Sequence, residues 1–94
     1  MLQKTEFIWF DGKLVPWDQA QVHVLAHGLH YGTGVFEGIR AYACPDGSSA
    51  VFRLPEHSKR LVNSAKILGI NMPYTADEIS KAIVETVVAN KLSE

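Results

Sequence analysis

Cysteine is almost missing from this sequence: Cys44 is the single one among 94 residues. One thiol excludes an internal disulfide framework and a cysteine-built zinc site, and it suits a reducing, cytoplasmic setting. Excess charge of either sign is missing too. Nine basic side chains against ten acidic ones leave a formal net charge of −1. That balance removes the general electrostatic case for nucleic acid or an anionic membrane as partner. No apolar run approaches the roughly 18 residues of a spanning helix. The opening Met1-Leu2-Gln3-Lys4-Thr5-Glu6 lacks the basic-then-apolar layout of a secretory signal. Repeats, low-complexity tracts and linkers are absent as well, so residues 1–94 read as one unit, short for an enzyme that must enclose a substrate.

What is present is a chain 47% hydrophobic, able to bury roughly two thirds of its unfolded surface. Phe7-Ile8-Trp9-Phe10 and Lys13-Leu14-Val15-Pro16-Trp17 flank Asp11-Gly12, a strong hairpin signal. Pro16 suits the end or edge of its strand. Residues 18–32 show no clean period and are expected as loop with a short strand or turn. Gly34 to Ala43 alternates loosely, as a strand does, and Pro45-Asp46-Gly47-Ser48 turns the chain into a second strand over 50–54. Pro55 suits the first position of a helix whose stripe is Leu61, Val62, Ala65 and Leu68, closed by Gly69 as a left-handed cap. Thr75 and Glu78 spell a capping box before a helix with stripe Ile79, Ala82, Ile83 and Val87, reaching about Asn90. Strands followed by helices predict an α+β fold, an antiparallel sheet packed against two helices. An antiparallel sheet often takes another strand after such a helix, so the domain is expected to be incomplete.

Few residues suggest chemistry by spacing alone. His23, His27 and His30 would share a face on a helix, as metal ligands do, but their glycine and valine neighbours argue against one. Histidines bonding backbone in a loop-rich segment are the better reading, and no metal is expected. Ser48, Ser49, Ser58 and Ser64 lack a nucleophile elbow, and Gly32, Gly34 and Gly38 do not precede a helix as a nucleotide loop requires. Arg40 inside a strand needs an anionic partner if it points inward, and is solvated if outward. Arg60 follows Glu56 by four residues, which reads as an exposed helical ion pair; its alternative is two-pronged binding of a phosphate or carboxylate. Tyr31, Phe36 and Trp9 can line a pocket, although aromatics near strands are usually core. Gly38 in a strand marks a close approach by ligand or backbone.

The string His30-Tyr31-Gly32-Thr33-Gly34-Val35-Phe36-Glu37-Gly38-Ile39-Arg40-Ala41-Tyr42 closely resembles the signature of branched-chain amino-acid aminotransferases, fold-type IV pyridoxal-phosphate enzymes. Phe52-Arg53-Leu54-Pro55-Glu56-His57-Ser58-Lys59-Arg60-Leu61, then Ser64-Ala65-Lys66, resembles it too, as do Ile8-Trp9-Phe10-Asp11-Gly12 and Val22-His23-Val24. The likeness runs from about residue 7 onward and is densest between 23 and 68. It implies reversible amino transfer between leucine, isoleucine or valine and 2-oxoglutarate, with pyridoxal 5′-phosphate as cofactor. It also implies that Arg60 binds the cofactor phosphate, and that Phe36 and Gly38 line the substrate pocket. Tyr31 would join that pocket across the interface of a homodimer or higher homo-oligomer. Arg40 would serve the distal carboxylate of glutamate.

The family's Schiff-base lysine lies beyond residue 94, and none of Lys4, Lys13, Lys59, Lys66, Lys81 or Lys91 matches its motif. The resemblance therefore implies an N-terminal small domain, without the large cofactor-binding domain and inactive alone. Two other readings stand beside it. One is a free-standing non-catalytic α+β interaction module. The other is a different fold-type IV enzyme, a D-amino-acid aminotransferase or aminodeoxychorismate lyase, against which Glu37-Gly38-Ile39-Arg40-Ala41-Tyr42 argues.

Overall fold

The computed structural model describes residues 4–92. Strand β1 (Phe7–Phe10) pairs antiparallel with β2 (Lys13–Pro16), Phe10 facing Lys13 across the turn. Asp11 and Gly12 take φ of 53° and 94°, the pair of positive values that a two-residue turn matched to strand twist requires. Glycine is also sterically apt at position 12, because a Cβ there would lie 2.9 Å from the Tyr74 hydroxyl. Pro16 ends β2, as expected, and Trp17–Gln19 forms one tight helical turn.

The next stretch corrects the sequence expectation. Residues 18–32 contain a short helix, α1 (His27–Tyr31), ending on Gly32 at φ 66°. The strand expected over Gly34–Ala43 forms a ladder only at β3 (Ala41–Ala43). Its partner β4 is Ser49–Val51, shorter than the expected 50–54. Phe52 N–H adds one further bond, to Arg40 O at 2.9 Å. The alternation of residues 35–40 survives without the ladder: Val35, Glu37 and Ile39 are half-buried, while Phe36, Gly38 and Arg40 are exposed.

Helix α2 (Leu54–Ile67) begins one residue before Pro55, after Arg53 turns through φ 52°. It ends as read. Gly69, at φ 74°, donates to Lys66 O at 3.1 Å, and Ile70 N–H reaches Ala65 O at 2.8 Å, the paired bonds of a Schellman motif. Leu68, expected on the buried stripe, is 53% exposed, because it sits at the cap beyond the last helical turn. Helix α3 (Ala76–Ala89) carries the full Thr75–Glu78 capping box.

These elements make a small α+β domain in which the strands form two separate hairpins. Among the described residues, Ala65 on α2, Ile79 and Ala82 on α3, and Val15 on β2 are its buried apolar residues. Small side chains let the helices approach closely, and the fully buried Ser58 bonds Ser80 through their hydroxyls at 2.7 Å. Asn90 ties α3 to the first hairpin. Its Oδ1 accepts from Phe7 N–H at 2.8 Å, and its Nδ2 donates to Phe7 O at 3.0 Å and Thr86 O at 2.9 Å. Between β1, residues 35–39 and the two helices lies an apolar cleft of about 600 Å³, on which Trp9 packs edge-on against Tyr74. Among the described residues, no helix is long and apolar enough to cross a membrane.

Candidate functional site

The convergent polar groups lie where residues 35–40 pass α2. Period-two alternation turns the Glu37 side chain toward the helix, leaving it 7% exposed. A carboxylate so placed needs partners, and α2 supplies two, spaced three residues apart on one face. Arg60 donates from Nε to Glu37 Oε2 at 2.7 Å and from Nη2 to Oε1 at 2.6 Å. His57 Nδ1 lies 2.7 Å from Oε1; an ionised carboxylate only accepts, so this nitrogen carries the hydrogen. The hydrogen bonds from Arg60, then His57, hold the Glu37 carboxyl down at about 2, against a usual 4.5. The same contact with Glu37 raises the affinity of Arg60 for its proton.

Arg60 thus does not form the expected pair with Glu56. That carboxylate turns to Arg53 instead, 3.6 Å away on the helix's first turn. Arg53, Glu56, His57 and Arg60 line a hollow of about 250 Å³. Two of Arg60's five N–H donors go to Glu37, and the Nη1 pair lies on the far edge of the planar group. With its side chain 66% exposed, Arg60 is accessible to an anion while held in one plane. This donor set fits a phosphate group, and its fit to pyridoxal 5′-phosphate extends to that phosphate.

The other sequence candidates lie on the open side of the same segment. Phe36 is 89% exposed, and Arg40 stands over the Tyr42 ring, 5.4 Å from its centroid. Gly38 has open space where a Cβ would be, with no atom of the described residues beyond its chain neighbours within 4 Å. Tyr31 is 75% exposed on α1 and packs beside the His27 ring. Neither Phe36 nor Tyr31 is the core aromatic that its neighbourhood suggested. The structure therefore brings Phe36, Gly38 and Arg40 onto one face, with Arg60 behind them through Glu37.

His23 and His30 behave as the plainer reading held, while the His27 ring packs on Tyr31: His23 Nδ1 accepts from Leu25 N–H at 3.0 Å, and His30 Nε2 meets Val24 O at 2.8 Å. Among the described residues, no cluster of histidine, cysteine and carboxylate groups is suited to a metal. Glu37, His57 and Arg53 were missed as site residues. The signal for Glu37 was present, since alternation places it opposite Phe36 and Gly38, where an acid must be paired.

Comparison with known proteins bears on this arrangement. A branched-chain-amino-acid aminotransferase of Pseudomonas aeruginosa is 50% identical over 92 residues, 98% of this chain and 30% of that protein. The crystal structure of a branched-chain aminotransferase from Thermoproteus uzoniensis with norvaline matches with TM-score 0.90 and 53% identity, covering 96% of this chain and 30% of that one. The crystal structure of the Escherichia coli branched-chain amino acid aminotransferase matches with TM-score 0.92 and 44% identity, over 96% of this chain and 29% of its own. Another solved branched-chain amino acid aminotransferase of this group is complexed with N-(5′-phosphopyridoxyl)-L-glutamate. The chain thus spans about 30% of the length of these relatives. The amino-transferase class IV family matches residues 34–94, a stretch that holds the Phe36–Arg40 face, Glu37 and Arg60 together, and the chain belongs to that family.

Proposed function

We propose that this chain is the N-terminal part of a branched-chain amino-acid aminotransferase, which exchanges the amino group of leucine, isoleucine or valine with 2-oxoglutarate. The observation that carries this reading is the two-sided segment 35–40: an aromatic, glycine and arginine face outside, and a carboxylate gripping an accessible arginine inside. Bound through its phosphate, pyridoxal 5′-phosphate supplies the electron withdrawal that amino exchange needs. This chain's own share is binding and orientation. Arg60 offers a permanent charge and a planar fork to the phosphate, with His57 and the Arg53–Glu56 ion pair lining the same hollow. Phe36 supplies an apolar wall for a branched side chain, Gly38 leaves room against that wall, and Arg40 places a charge for the distal carboxylate of glutamate.

Tyr31 follows a segment whose Val22, Val24, Leu25 and Leu29 are all exposed. A patch of this kind fits burial against another subunit, so we assign the enzyme as a homodimer or higher homo-oligomer. The test is made in the longer protein. It transfers the amino group of leucine to 2-oxoglutarate, and Arg60→Ala loses pyridoxal 5′-phosphate faster on dialysis. A longer protein inactive on all three branched-chain amino acids refutes the reading, and unchanged retention in Arg60→Ala refutes the phosphate role.

A further inference from the structure

The segment that carries the exposed wall has little backbone anchorage. Among the described residues, its backbone–backbone hydrogen bond to the rest of the chain is the one from Phe52 N–H to Arg40 O. Val35 and Ile39 rest on the apolar cleft, and Glu37 between them is the polar tie to α2. Its chain neighbours Phe36 and Gly38 are exposed, Phe36 also bordering that cleft. We propose that Glu37 is a positioning residue joining the two halves of the site, fixing both the plane of the Arg60 guanidinium and the placement of the Phe36–Gly38 wall. The anion half of this proposal rests on the phosphate reading of Arg60 given above.

The physical case begins with Arg60's exposure. A solvated arginine samples many rotamers, most of which aim its donors elsewhere. Two parallel bonds to one carboxylate select a single plane and leave Nη1 on the opposite edge. His57 braces Oε1 from the same helix, so the carboxylate is itself held. Positioning also accounts for a negative charge beside an anion site, where its direct effect on the anion is repulsive. The two roles differ in sign. Removing a merely neighbouring charge tightens anion binding, whereas removing a positioning residue weakens it.

The experiment uses the ¹⁵N-labelled chain and its Glu37→Gln, Arg60→Lys and Lys59→Gln variants. Without ligand, Glu37→Gln moves the Arg60 Nε–H resonance toward that of an exposed arginine. Arg60→Lys keeps the charge but loses the fork, and shifts the amides of Phe36 and Gly38, far away in sequence. Lys59→Gln, an exposed change beside Arg60, leaves those amides in place. If Glu37→Gln does not fold, Glu37→Asp keeps the charge, withdraws the oxygens and produces the same displacement at Arg60. Inorganic phosphate at fixed ionic strength perturbs the Arg60 resonance of the parent, and Glu37→Gln raises its Kd at least tenfold. Phe36 and Gly38 amides unmoved in Arg60→Lys overturn the proposal, as does equal or tighter phosphate binding by Glu37→Gln. A parent whose Arg60 resonance ignores phosphate overturns the phosphate reading and the anion half with it, and the Arg60→Lys amides then decide the strand half.

Discussion

Asn90→Ala is expected to be among the most damaging single truncations outside the buried apolar core. The side chain makes three hydrogen bonds, and two of them serve the N–H and C=O of a single β1 residue, Phe7. At a net value of about 1 kcal/mol per bond, the three sum to about 3 kcal/mol. All three are partly buried rather than sealed, so water recovers some of that loss, and the expected destabilisation is about 2 kcal/mol. Asn90→Asp keeps an acceptor for Phe7 N–H but loses both donors. It also sets a negative charge against the Phe7 carbonyl and the C-terminal end of α3, so its loss at neutral pH is at least as large. The control is Val88→Ala, two residues away and 70% exposed, with an expected change within about 0.5 kcal/mol. Urea unfolding measures the three stabilities, and amide exchange reports whether the Phe7 N–H loses protection in Asn90→Ala. Equal stabilities for Asn90→Ala and Val88→Ala, with Phe7 still protected, would refute the claim that this amide fastens helix to hairpin.

Other outcomes follow from separate features. Thr75→Ala removes the acceptor for Glu78 N–H, 3.1 Å away, and should cost about 1 kcal/mol in thermal or urea unfolding; an unchanged midpoint contradicts the capping role. Gly38→Ala meets open space, so the chain's stability should change by no more than about 0.5 kcal/mol, and any loss of activity in the longer protein then belongs to the ligand side; a large loss of stability refutes this. Gly12→Ala, by contrast, combines φ of 94° with a Cβ 2.9 Å from the Tyr74 hydroxyl, and should destabilise by about 1 kcal/mol or more. The Glu37 carboxyl is depressed on folding, so its stabilisation is complete above 4.5 and is lost as pH falls from there toward about 2. A carboxyl NMR titration should place its midpoint near 2, and stability profiles of parent and Glu37→Gln should converge over the same fall; a midpoint at the usual value of 4.5 contradicts the geometry.

Features written locally were legible in the sequence. Asp11-Gly12 specifies its turn by two positive φ angles, Thr75 and Glu78 cap each other across three residues, and Gly69 closes α2. Each depends on neighbours within a few positions, so no tertiary information is needed. Helix α1 was not legible, because five residues containing a glycine and two histidines carry neither length nor period. The 34–43 stretch was half legible. Alternation set its two faces, but a ladder requires a partner strand, and partners are not written in the strand itself. Arg60 shows the same limit: Glu56 is its natural neighbour on the helix, yet the carboxylate it grips lies 23 residues away in sequence. Which acid faces the arginine is decided by how the 35–40 segment crosses α2. The roles given to Tyr31, Phe36 and Arg40 came from motif likeness, since spacing alone favoured plainer assignments for them, whereas Gly38 was marked by its place in the strand-like run before the likeness gave it a pocket.

The unladdered stretch from 33 to 40 also governs how the isolated chain behaves in a tube. Fully extended, eight residues at about 3.3 Å each reach roughly 26 Å. Apart from the bond at Arg40, that stretch offers its amides and carbonyls to any strand that arrives. Natural sheets blunt such edges with charge, proline or a covering element. Here the open face carries Phe36 and Tyr42 with the one charge of Arg40, and a net charge of −1 provides little colloidal repulsion. At high concentration this edge favours edge-to-edge growth. Dilute, low-temperature handling and solubilising acidic tags become conditions for studying the chain rather than conveniences.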